Sequence, residues 1–151
     1  MKWAITSHVH FDRVAAPWVI RKFIDPAAVF SFAAPAEFSR LPKDVIPVAF
    51  PGAKLGPHDK DGPVFLKILK EYKLEDPALH LMADVIGKGV HYVVDGWRPA
   101  VDDRYGHMAV GLLAFSDGMI LLEPDDQKRL DQSYVVWESL YTLFKANKQR
   151  G

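Results

Sequence analysis

Apolar residues recur at helical spacing over five stretches and run together over only three short ones, so the chain reads as mainly helical. Helices are expected near residues 17–24, 63–72, 76–86, 100–115 and 125–146. The first carries Trp18, Val19, Ile20, Phe23 and Ile24. It is expected to start at Pro17, whose missing N–H costs nothing in a first turn, with Arg21 and Asp25 paired at i,i+4. The second presents Val64, Phe65, Ile68 and Leu69, with Asp61 as its expected cap. Asp76-Pro77 opens the third, and Gly87-Lys88-Gly89 is expected to end it, leaving His91 just beyond. The fourth is weakened by Gly106 and Gly111 and is expected to close at Ser116-Asp117-Gly118. The last bears Leu130, Tyr134, Trp137, Tyr141 and Phe144, an aromatic stripe suited to a core face, a pocket wall or a dimer surface.

Strands are expected at 2–6 (KWAIT), extending toward His8 and His10, and at 28–34 (AVFSFAA). His8 and His10 would then share a strand face. A third apolar run, 45–50, holds Pro47 and is read as an irregular or edge strand. A brief helix at 35–41 lies between these two runs. Residues 51–63 (PGAKLGPHDKDGP) form the clearest loop, with three glycines and three prolines around His58. The fold class expected is α+β: one mainly helical domain over 1–151 with a few short strands.

Composition narrows the chemistry. The 19 basic and 19 acidic residues cancel, which gives no electrostatic footprint for nucleic acid or an anionic membrane. Cysteine is absent, so thiolate nucleophiles, disulfides and iron–sulfur clusters are excluded, and a metal would have to use imidazole and carboxylate. No run approaches 18 uninterrupted apolar residues and the start lacks the features of a secretory signal, so a cytoplasmic protein is expected. No HExxH pattern, EF-hand loop, phosphate loop or dinucleotide fingerprint occurs.

Candidate chemistry therefore rests on individual residues. His58 lies in the long loop, where polar groups serve binding more often than packing. His91 follows a glycine-marked helix end. Asp125 and Asp126 suit either a helix N-terminus or a carboxylate ligand. His80 and Asp84, and Asp103 and His107, are spaced to meet on a helix face.

The segment DRVAAPWVIRKFIDP, from Asp12 to Pro26, resembles the DRxACPWLIRRFIDP-type hallmark of the chromate-resistance (ChrB-type) family. The likeness continues through LGPH at 55–58, LEDPAL at 74–79 and ESLYTL at 138–143, and so covers nearly the whole chain. It points to Asp12, Arg13, Trp18, Arg21, Lys22, Asp25 and His58, and reaches His91 and Asp125-Asp126. Lys22 stands where the family usually has arginine, Ala16 where it has cysteine, and His91 where it tends to have aspartate. Larger members also carry an N-terminal region associated with regulation, and this chain corresponds to the core domain alone.

Three functions are open on this reading. The first is a small metal-dependent enzyme acting on an anionic or polar small molecule by hydrolysis, elimination or isomerisation. In it His58, His91, Asp126 and Asp12 hold a divalent zinc, manganese or iron ion. Arg13 and Arg21 bind the substrate, Tyr134 and Trp137 wall its pocket, and His58, His91 and Asp126 carry the chemistry. The second is a non-catalytic oxyanion- or metal-binding sensor or accessory resistance protein using the same arginines. The third is a structural or partner-binding domain. The apolar content permits a homodimer.

Overall fold

The computed structural model describes residues 1–150, with side chains through Asn147. Three parallel strands form the sheet: β1 (Lys2–Thr6), β2 (Val29–Ala33) and β3 (Val45–Val48), in the order β2-β1-β3. Lys2 stands opposite Val29 and Val45, and Ile5 opposite Phe32 and Val48. Central β1 is buried from Trp3 to Thr6, as expected of a parallel strand covered on both faces. Pro47 is tolerated because β3 is an edge strand with β1 as its one neighbour in the sheet. A 3-10 helix, Pro35–Arg40, joins β2 to β3. The fold class is α+β and mainly helical, as the hydrophobic pattern implies.

Helix α1 spans Asp12–Val19 and continues as a π-helical turn, Ile20–Ile24. It starts five residues before the expected Pro17, which lies inside it. The Pro17 ring has no N–H for the Arg13 carbonyl. Three residues on, the ladder widens into the π turn, closed by Asp25 N–H donating to Ile20 O at 2.7 Å. That widening breaks the i,i+4 relation between Arg21 and Asp25. Arg21 instead pairs with Asp131 at 3.4 Å, and Asp25 accepts from Trp3 Nε1 at 3.1 Å.

Helix α2 is Val64–Glu71 and α3 is Pro77–Val94. Asp76 caps α3 as expected, accepting from Ala78 N–H at 2.9 Å. The glycine pair does not end α3. Gly89 faces the core, where a Cβ would stand 2.4 Å from the Phe11 ring, so this glycine permits close packing rather than termination. Helix α4 is Arg104–Leu122, capped by Asp103, and it runs straight through Ser116-Asp117-Gly118. By length and composition it could cross a membrane. Here it packs on α3 through Gly106, Ala109, Leu113 and Ser116. Helix α5 is Asp126–Arg150, and α1 packs on both α2 and α5. Trp137 and Phe144 are buried from α5, while Tyr134 is exposed.

Candidate functional site

Between β1 and α1 the chain turns sharply, and the turn is strained. His8 has φ 61° and Phe11 φ 49°, in the left-handed region that favours glycine. This ends the strand at Thr6, so His8 and His10 do not share a strand face. The turn is held from the far end of the chain. Asp126 accepts from Val9 N–H at 2.8 Å and His8 N–H at 3.2 Å. Arg129, only 2% exposed, donates to Val9 O at 2.5 Å, Glu123 O at 2.6 Å and Asp126 at 2.6 Å. Ser116 Oγ on α4 accepts from Phe11 N–H at 2.9 Å. Strain of this kind persists where its surroundings over-determine it, and it concentrates at functional sites.

A pocket of about 350 Å³ opens on this turn. His10, Asp12 and Arg13 enter it from the turn and the start of α1, and His58 from the loop. Ala49 lines it too, with φ 65°, a third strained backbone beside the same space. Arg13 donates to Ser7 O at 3.0 Å and to His10 Nδ1 at 3.3 Å, and forms no ion pair with a carboxylate among the described residues. A guanidinium has five N–H donors, so three stay available for a ligand. His10 Nδ1 also lies 3.4 Å from the His8 carbonyl, so it accepts from Arg13 only in the tautomer that carries its proton on Nε2. Burial, then the Arg13 charge, holds the His10 pKa below the usual histidine value. In that tautomer His10 is a neutral donor beside a cation.

His58 is fixed by its loop. Ala49 N–H bonds Leu55 O at 2.7 Å, and the Lys67 ammonium reaches Pro57 O at 2.6 Å and Asp59 at 2.9 Å. The buried Nδ1 of His58 has no hydrogen-bond partner. Such an atom costs free energy until water or a ligand satisfies it. Burial lowers the His58 pKa, opposed by the charges of Asp95 and Asp59.

Asp12 does not cap its own helix. It serves another. Its carboxylate accepts from Val64 N–H at 2.8 Å and Phe65 N–H at 3.0 Å, capping α2 across 52 residues. Asp61, the expected cap, instead donates its N–H to Asp59. Burial pushes the Asp12 pKa up to about 6, against the opposing pull of the two N–H groups, Arg13 and Lys67.

His58 also lines an outer cleft of about 780 Å³, which it shares with His91. His91 lies inside α3, not past its end. Its Nδ1 meets Asp95 Oδ2 at 2.5 Å and its ring stacks on Trp97 at 5.8 Å. Asp95 orients the ring through Nδ1.

Several expected partners stay apart. Asp126 is spent on the turn and Asp12 on α2, so the four-ligand centre of His58, His91, Asp126 and Asp12 is not assembled. Among the described residues no three of His, Asp and Glu stand as a group able to hold a metal ion. Arg21 packs over the Phe30 ring at 4.9 Å and pairs with α5, away from the Arg13 pocket. Trp137 is core, edge-on to Phe11, and Tyr134 borders a shallow groove on α5, so neither walls the pocket. His107 bonds Ala100 O and His80 bonds Leu74 O, while Asp103 takes Lys88 and Asp84 lies 4.0 Å from the same lysine. Sequence reasoning gave Arg129 no role and read Ser116 only as part of a helix stop. Nothing in DDQKRL or AFSDG marks a buried clamp, because their partners lie over 100 residues away.

Residues 3–144 match the family model described as ChrB, C-terminal domain. The chain belongs to the ChrB family. Protein ChrB of Cupriavidus metallidurans is 32% identical over 150 residues, which are 99% of this chain and 42% of that protein. This ChrB domain therefore spans about two fifths of the length of the curated relative it matches. No solved structure matches it. Ala16, where the resemblance expects cysteine, is fully buried within α1 of this ChrB domain.

Proposed function

We propose that this ChrB-family domain is a binding module for small molecules carrying an oxyanion group, acting as a sensor or accessory resistance protein without turnover of its own. One observation carries this reading: the Arg13 guanidinium faces a pocket with only neutral hydrogen-bond partners, Ser7 O and His10. A half-buried cation with free donors is matched by a bidentate oxyanion. His10 supplies a neutral donor, and the unpartnered His58 Nδ1 supplies a place for a ligand proton or a bridging water. The clamp of Asp126 and Arg129 keeps this geometry set before the ligand arrives, which reduces the ordering cost of binding.

The test is calorimetric titration with carboxylates, phosphate, sulfate and chromate, on wild type and Arg13→Gln. Hydrogen bonds to a charged group are worth about 1.5–3 kcal/mol, so Arg13→Gln weakens binding by roughly 10- to 150-fold. Arg13→Lys recovers part of the loss. Equal affinity in wild type and Arg13→Gln overturns the reading.

A further inference from the structure

The pocket is not built for a bare inorganic ion. Its polar groups come from the turn before α1 and from the loop, whereas α3 and α4 contribute only hydrocarbon. Val90, Val93 and Val94 recur at i, i+3 and i+4 on α3, and Leu113 joins them from α4. Val93 and Val94 are 63% and 65% exposed, so apolar side chains stand open to water beside the cation. The space is about 350 Å³. Water takes about 30 Å³ per molecule, so roughly ten water volumes fit, far more than one tetrahedral ion fills.

From this we infer that the ligand is an organic anion: an oxyanion headgroup on an apolar body of several carbons. The inference rests on the reading of Arg13 as the anion anchor. An inorganic dianion in this space would turn part of its surface toward valine and leucine, giving up hydration for no hydrogen bond. A headgroup on Arg13 with a hydrocarbon body along Val90, Val93 and Leu113 satisfies both ends. Ligand pockets are commonly built this way, mostly apolar with a few placed polar groups. Volume and chemistry together favour about four to eight carbons, because each carbon occupies about one water volume.

The experiment titrates the full chain calorimetrically with acetate, butyrate, hexanoate and sulfate. Each buried methylene strengthens binding about fourfold, so hexanoate exceeds acetate by roughly two orders of magnitude. Sulfate binds more weakly than hexanoate. Val93→Ser and Val94→Ser, at exposed positions with little burden on folding, flatten the chain-length series. A flat series in wild type, with sulfate as tight as hexanoate, overturns the inference while the anion reading stands. A steep series indifferent to both valine variants also overturns it, because the hydrocarbon then binds elsewhere. Failure of every anion overturns the anion reading itself, and this inference with it.

Discussion

Asp12→Ala removes the cap of a helix that belongs to a different part of the chain. Val64 and Phe65 are fully buried, and their N–H groups have the Asp12 oxygens as acceptors at 2.8 and 3.0 Å. Leaving two buried donors unsatisfied costs about 1–3 kcal/mol each. Against this, the substitution relieves the cost of burying a charge. The Asp12 pKa stands at about 6 instead of 3.8, and at 1.36 kcal/mol per unit that relief is about 3 kcal/mol at pH 7. The two donors together cost about 2–6 kcal/mol, so the net change at pH 7 lies between a gain of about 1 and a loss of about 3 kcal/mol. Linkage fixes how it changes with pH. The folded pKa is raised, so the folded state binds the extra proton between pH 4 and 6, and the wild type loses stability as pH rises through about 6. From this group alone the wild type is about 1.3 kcal/mol more stable at pH 5 than at pH 7. Relative to wild type, Asp12→Ala loses the same amount of stability on acidification. Urea unfolding followed by tryptophan fluorescence at pH 5, 6 and 7 measures both quantities. Asp12→Asn keeps one acceptor, does not titrate, and falls between the two. If the difference between Asp12→Ala and wild type is the same at pH 5 and 7, the argument fails.

Three further outcomes are expected. Gly89→Ala places a methyl 2.4 Å from the Phe11 ring, so it destabilises by about 1–3 kcal/mol in urea and weakens anion binding, since Phe11 borders the pocket. An unchanged midpoint would show that the ring has room to move. Arg129→Met breaks a part-buried pair with Asp126 and abandons two carbonyls at about 1–3 kcal/mol each, and thermal unfolding with less than 1 kcal/mol lost would contradict the clamp. Anion affinity rises as pH falls from 7 to 5, because Asp12 loses its charge near pH 6 while His10 and His58 gain charge below the usual histidine range. A binding isotherm that is flat or weakens over that range would exclude these groups from the site.

Local signals served where the local rule had no competitor. Asp76-Pro77 starts α3 because a capping carboxylate and a first-turn proline agree there. Two readings failed for one reason: a residue whose usual role is local answers to a distant partner. Gly89 reads as a helix stop, but it is small to admit Phe11. Pro17 reads as a helix start, but the start is set by the turn that Ser116, Asp126 and Arg129 hold. The site was half legible. Arg13 and His58 stood out by the hallmark segment and the Gly/Pro loop. Asp12 and Asp126 were expected as metal ligands, but their oxygens are occupied by backbone N–H groups that no spacing rule could reveal.

The clamp also sets an order of events during synthesis. Once Val48 has left the ribosome, every strand of the sheet is available. The turn bearing His10 and Arg13 must still wait for Asp126 and Arg129, more than a hundred residues later. Any product cut short before Asp126 therefore carries every residue that lines the pocket, with only the Ser116–Phe11 bond from α4 left to hold the turn.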